Sequence, residues 1–222
     1  MLILAAVVVL SSVSSFLEKT YAEEADEKKT CQLGEPAKEK VPFSKGDEPH
    51  MIPVYLRSSH KALNNTEVKT MLKEYNFFST DSNIDGNFDN DYAGKRVHGV
   101  NVVIDRATGL MWDKSGSARF MSWKDAREWI NDLNHSMYGG YSDWRLPTAE
   151  EAASLLESGK KYGGLYIDPI FDRRQPYIWT ADTREGSGGG IALSVYFDDA
   201  KIRWDETNSI NRNFVRPVRT DR

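Results

Sequence analysis

The sequence predicts an α+β domain of two or three helices and short antiparallel strands, preceded by a helical extension. Three observations carry this reading. Apolar residues recur at helical spacing in the first half of the folded region. β-branched and aromatic runs separated by turn residues fill the second half. The chain of 222 residues, 40% hydrophobic and 11% aromatic, is long enough for one sizeable core plus additional segments. Helices followed by a run of antiparallel strands form an α+β pattern.

Residues 2–13 are almost purely apolar, and Thr20-Tyr21-Ala22 precedes Glu23. The run of about 16 apolar or small residues falls short of the roughly 20 that a membrane span needs. Residues 1–22 are therefore expected to be a signal peptide cleaved after Ala22, placing the protein in the periplasm or at the cell surface. The alternative is an uncleaved N-terminal helix that anchors the chain, the one case in which a membrane is a partner. No Lys or Arg precedes the apolar run, which departs from a standard signal. Residues 23–50 are rich in Glu, Lys, Asp and Pro and are read as a disordered charged tether. The lone cysteine, Cys31, falls there. One cysteine excludes an internal disulfide and any paired-cysteine metal site.

Residues 51–96 are read as the helical extension and a polar loop. A helix is expected over residues 63–78, with Asn64 as N-cap and Glu67 three residues on. Val68, Met71, Leu72 and Tyr75 give it one apolar face for packing. Residues 79–92 are polar and turn-rich. There Asp81, Asn83, Asp85, Asn87 and Asp89 occupy alternate positions, with Gly86 at the sharp turn, as in the first half of a calcium loop. Tyr92 stands where the bidentate Glu belongs, and Asp-Asn-Gly clusters also simply make turns. Ca2+ is the one cofactor the sequence suggests.

Residues 97–222 make up the main domain. The runs 100–104 and 110–112, separated by a turn over 105–109, predict a hairpin. Ser122 caps a second helix with Asp125 at its third position, and Trp123, Ala126, Ile130 and Leu133 form its buried stripe. Thr148 and Glu151 form a capping box for a third helix, over about 149–157, with Pro147 fixing its entry. Strands are expected at 177–181, 191–197, 201–204 and 214–218, with a hairpin turn at Asp198-Asp199.

Gly109-Leu110-Met111-Trp112 is followed by Gly139-Gly140-Tyr141-Ser142-Asp143-Trp144-Arg145-Leu146-Pro147-Thr148. Then come Ile167-Asp168-Pro169, the strand around Trp179, and Phe214-Val215-Arg216-Pro217-Val218-Arg219. In that order these resemble the Lcl C-terminal domain family, named for a collagen-like bacterial adhesin, over about residues 97–220. Residues 54–78 are similar to an extension found ahead of this domain in some exported proteins. The WRLPT string also resembles formylglycine-generating and sulfatase-modifying enzymes, which implies a C-type-lectin-like fold. Their oxidase chemistry needs a reactive cysteine pair, and residues 97–222 contain no Cys. The family resemblance implies sulfated-polysaccharide binding and trimers. The collagen-like repeats that hold such a trimer do not occur in this sequence, so the oligomeric state stays open.

Two readings of Asp143-Trp144-Arg145 compete. Arg145 could offer a guanidinium to a sulfate or carboxylate, with Trp144 as a ring face. Alternatively Trp144 is core, and Arg145 pairs with Asp143 or a strand carbonyl. The structural reading extends to Trp112, Pro147 and Trp179, and expects Trp112, Trp144 and Trp179 to be buried and mutually close. The candidate ligand face is C-terminal: Arg203, Arg212, Arg216 and Arg219 with Tyr177 and Trp204. Arg suits planar anions, and rings suit sugars. Ion pairing with Asp198, Asp199, Asp205 and Glu206 is the competing reading. Oxygen ligands in Trp204-Asp205-Glu206-Thr207-Asn208 suggest a lectin site, but adjacent strand residues point to opposite faces.

A net charge of -4 argues against nucleic acid as a partner. His50, His60, His98 and His135 show no metal-ligand spacing, and no nucleophile elbow, P-loop or dinucleotide fingerprint occurs. A carboxylate pair for glycan hydrolysis is left open by the abundance of Asp and Glu. The sequence thus favours an exported, non-catalytic binding or adhesin-like module for an anionic glycan or an envelope protein. A structural or sensory accessory of the envelope and a glycan-active enzyme are the alternatives.

Overall fold

The computed structural model describes residues 53–208, 210 and 212–221. The expected signal peptide and charged tether, with Cys31, His50 and Arg222, lie outside them. The expected capping box starts the first helix, α1 (Asn65–Glu74). The Asn64 side chain accepts from the N–H groups of Thr66 and Glu67, and Glu67 accepts from the Asn64 N–H. Val68, Met71 and Leu72 are its buried face. The helix is shorter than its apolar period suggested, because Asn76 turns left-handed at φ 57° and ends the ladder. A two-residue strand, β1 (Ala62–Leu63), precedes it.

The polar stretch then gives way to β2 (Tyr92–Val97), which the sequence reading did not anticipate. The expected hairpin follows as β3 (Val100–Asp105) and β4 (Leu110–Asp113), in antiparallel register with Val103 opposite Trp112. Asp105 locks the turn by accepting from the Ala107 N–H and the Thr108 hydroxyl, and burial pushes its carboxyl above the usual range. Next come α2 (Trp123–His135), capped by Ser122, and α3 (Ala149–Ala153), capped by Thr148. The chain continues through β5 (Tyr177–Arg184), β6 (Ile191–Tyr196), β7 (Lys201–Glu206) and β8 (Val218–Thr220).

Two four-stranded sheets result, β1-β5-β6-β7 and β2-β3-β4-β8. The α+β expectation holds, with three α-helices among the described residues. Residues 53–96 are woven into both sheets: β1 runs parallel to β5 and β2 antiparallel to β3. The strand expected at 214–218 is displaced. Phe214 makes a single bridge to Ile178, and regular pairing starts at Val218, opposite Trp112. Pro217 has no N–H to donate, and Arg216 turns inward. The third helix also stops early. It is buried along its whole length, Glu150 and Glu151 included.

The largest apolar cluster joins Trp112 and Val103 of one sheet to Ile178 and Val195 of the other through Leu155, Leu156, Leu165 and Phe171. Trp112, Trp144 and Trp179 are all buried as expected. They do not form one group. Trp179 packs with Ala126 and Ile130 of α2, and Trp144 with Val102 and Met111, each in a separate cluster.

Candidate functional site

The Asp143-Trp144-Arg145 signature serves as an internal joint. The Trp144 N–H donates to Asn134 Oδ1 and its carbonyl accepts from Asn134 Nδ2, both at 2.8 Å, so one amide clamps the residue to α2. The indole Nε1 donates to the Tyr138 carbonyl at 2.8 Å. Arg145 does not pair with Asp143. It forks onto Glu151 at 2.5 and 2.6 Å, and Glu151 is wholly buried at the start of α3. The partner of Asp143 is Arg219, at 2.7 Å through Nε, and that guanidinium lies 3.8 Å from the centre of the Tyr141 ring. Pro147 is buried, and its carbonyl accepts from the Ala181 N–H of β5.

A second ion cluster lies beside α3. Arg57 reaches both Glu150 and buried Asp182, and Asp182 also accepts from the N–H groups of Lys61 and Ala149 at 2.6 Å. Although desolvation opposes it, the two carboxylates raise the Arg57 pKa. This cluster binds the extension to α3 and β5, and no local pattern marks it, since its members are far apart in the chain.

The calcium-loop pattern does not become a converging ligand set. Asp81 accepts from the Ser79 and Ser82 hydroxyls, and the Asn83 amide donates to the Leu72 and Phe77 carbonyls. Gly86 has a packing reason: a Cβ there would lie 2.4 Å from the Phe77 carbonyl oxygen. Asp85 and Asp89 are exposed. Among the described residues no group of three His, Cys, Asp or Glu converges to hold a metal ion.

The C-terminal arginines do not share one face. Arg216 has no exposed surface; its guanidinium donates to the carbonyls of Asp113, Lys114 and Asp172 and lies over Phe171. Burial pushes it down to about 10, against the pull of Asp113 and Asp172. It is a core residue and leaves the ligand set. Arg219 is 7% exposed and belongs to the other sheet, with Tyr141. Trp204 faces away from Arg203, as strand alternation requires, and its Nε1 donates to Asn65 of α1. Arg212 is exposed.

What remains together is an aromatic strip: Tyr177, Tyr196 and Arg203 share one face of β5-β6-β7, and Phe214 and Phe120 extend it beside β5. Phe120, Phe214, Tyr177 and Tyr196 follow one another at ring-centre distances of 6.0, 5.8 and 5.3 Å. Arg203 ends the strip, 4.3 Å above the Tyr196 ring, and pairs with partly exposed Asp199. Tyr177 stands opposite Tyr196, and Ser194 opposite Arg203, so the register puts all four on one side. The Tyr196 hydroxyl donates to Asp205 at 3.0 Å, and burial beside that carboxylate raises its pKa, so it stays a neutral donor. Asn213 holds Asp205 from the other side. Phe120, Tyr196 and Phe214 were missed in the sequence. The available signal was the Asp198-Asp199 turn, which sets Tyr196 on the face of Arg203 by period-2 counting.

The family model of the Lcl C-terminal domain matches residues 101–219, from the start of β3 into β8. No curated protein matches the chain.

Proposed function

We propose, from the premise that this chain belongs to the Lcl C-terminal domain family, that it is an exported, non-catalytic envelope module that binds acidic polysaccharide. The observation that carries this is the strip of four rings ending in Arg203. Ring faces offer stacking surface to sugars, and a guanidinium already held over a ring offers a planar fork to sulfate or carboxylate. The Asp199 pair is no obstacle: partly exposed ion pairs are worth only about 0–1 kcal/mol, so an incoming anion can replace it. The C-type-lectin-like relationship implied by the WRLPT string belongs to the same reading.

The full chain should bind a heparin-like polysaccharide more tightly than a neutral dextran. That preference should shrink as salt shortens the screening length below about 8 Å. Tyr177→Ala combined with Arg203→Gln should weaken binding at least about tenfold, or ~1.4 kcal/mol. A folded double variant that binds as tightly as the parent defeats the assignment of this strip. Absence of binding to either polysaccharide at any salt favours the accessory-protein reading.

Export rests on the apolar run of residues 2–13 and on Thr20-Tyr21-Ala22. Protein recovered from the envelope is expected to begin at Glu23 on N-terminal sequencing. Recovery of the full-length chain from the cytosol would overturn it.

A further inference from the structure

A cleft of about 340 Å3 opens beside the signature turn, and none of its lining residues belongs to the aromatic strip. Trp123, Arg127 and Asn131 of α2 line it at four-residue spacing, which places them on one stripe of the helix. Arg145 and Leu146 of the signature and exposed His60 also line it. Its lining includes no Asp or Glu side chain. In a chain of net charge -4, that is a local reversal of sign.

The two arginines are held differently. Arg145 gives its Nη atoms to Glu151, which fixes its plane and balances its charge. A guanidinium has five N–H donors, so the fork onto Glu151 leaves others for the cleft. Arg127 is exposed and lies over the Trp123 ring at 5.0 Å. That contact is to the ring and engages no acceptor, so the guanidinium keeps its N–H donors for a planar anion. The Trp123 ring is itself fixed, since its Nε1 donates to the Thr180 carbonyl at 2.8 Å. The floor between them is apolar, with Ile130 and Leu146 buried. A volume near the lower end of the roughly 300–1,000 Å3 typical of small-molecule sites admits one or two fused rings, and not a polymer chain.

We propose that this cleft binds a small organic carboxylate with a flat apolar body, an aryl carboxylate. The carboxylate meets Arg127 and the free N–H groups of Arg145, and the ring lies between Trp123 and Leu146. The site shares no residue with the strip assigned to polysaccharide, so either assignment can fail alone.

The test is isothermal titration of the full chain with 2-naphthoate, with 2-naphthamide as a neutral match in shape and inorganic sulfate as a bare anion. Naphthoate should bind, naphthamide at least tenfold more weakly, and sulfate more weakly than naphthoate. Arg127→Gln, at an exposed position, should weaken naphthoate binding at least tenfold. Lys124→Gln on the same helix, outside the cleft, should leave it unchanged, and so should the Tyr177→Ala/Arg203→Gln variant. If naphthoate and naphthamide bind alike, if naphthoate does not bind, or if the folded Arg127→Gln protein binds like the parent, the proposal is overturned. Equal weakening by Lys124→Gln would reduce the effect to non-specific charge and overturn it as well.

Discussion

Glu151→Ala is expected to lower the unfolding free energy by about 4 kcal/mol. Two separate effects combine. Glu151 is fully buried and accepts both Nη groups of Arg145; removing one partner of a buried pair costs roughly 3–5 kcal/mol because the other charge is stranded. Arg145 is 25% exposed at the cleft, so water recovers part of that charge and the lower end applies. The second effect is the capping box. Glu151 also accepts from the Thr148 N–H at 2.9 Å, and loss of such a cap costs about 1 kcal/mol. Glu151→Gln separates the two. Its amide oxygen can still serve Thr148, but its NH2 meets a guanidinium that has no use for a second donor. The Gln variant should therefore fall between parent and Ala. Urea unfolding, with the slope checked for constancy, reads both changes. A loss below about 1 kcal/mol for Glu151→Ala would mean that water stabilises Arg145 well enough for the pair to be dispensable.

The features legible in the sequence were those whose cause is local. Three helix starts could be read from Asn64, Ser122 and Thr148, because a capping side chain and the N–H it satisfies lie within three residues. The β3–β4 hairpin was legible for the same reason. Helix ends were misjudged where something other than apolar period stopped the ladder, as left-handed Asn76 does after α1. The β2 strand escaped because its burial is slight: Gly94, Lys95 and Arg96 are exposed on an edge strand, so no alternation marks it. For the candidate site, Tyr177 and Arg203 were found by chemistry alone. Arg216 was wrongly placed beside them because a sequence does not show that a guanidinium is satisfied by carbonyls from residues 113, 114 and 172. The cleft was invisible for a similar reason. It brings His60, α2 and the signature turn together over more than 80 residues of chain.

Trp144→Ala is expected to destabilise the protein by about 3–5 kcal/mol, the range for deleting a large buried aromatic. Trp144 is 2% exposed and packs against Val102 and Met111, with the Tyr138 and Tyr141 rings edge-on at 6.1 and 6.2 Å. Its backbone bonds to Asn134 survive the substitution, so the loss is one of packing and of the indole donor. Trp144→Phe isolates the donor. A phenyl ring keeps most of the edge contacts, while the Tyr138 carbonyl loses its 2.8 Å partner. That variant should cost about 1–2 kcal/mol, the price of an unmade hydrogen bond plus a small void. The ordering parent, Phe, Ala in thermal and urea unfolding therefore follows if Trp144 holds the turn in place. The same series bears on ligands. Trp144 borders the aryl-carboxylate cleft, whereas the polysaccharide strip lies on other residues. Measured below its unfolding transition, Trp144→Phe should keep polysaccharide affinity while lowering stability. If stability is unchanged and polysaccharide affinity is lost instead, Trp144 is a binding residue, and the signature turn rather than the strip is where the glycan sits.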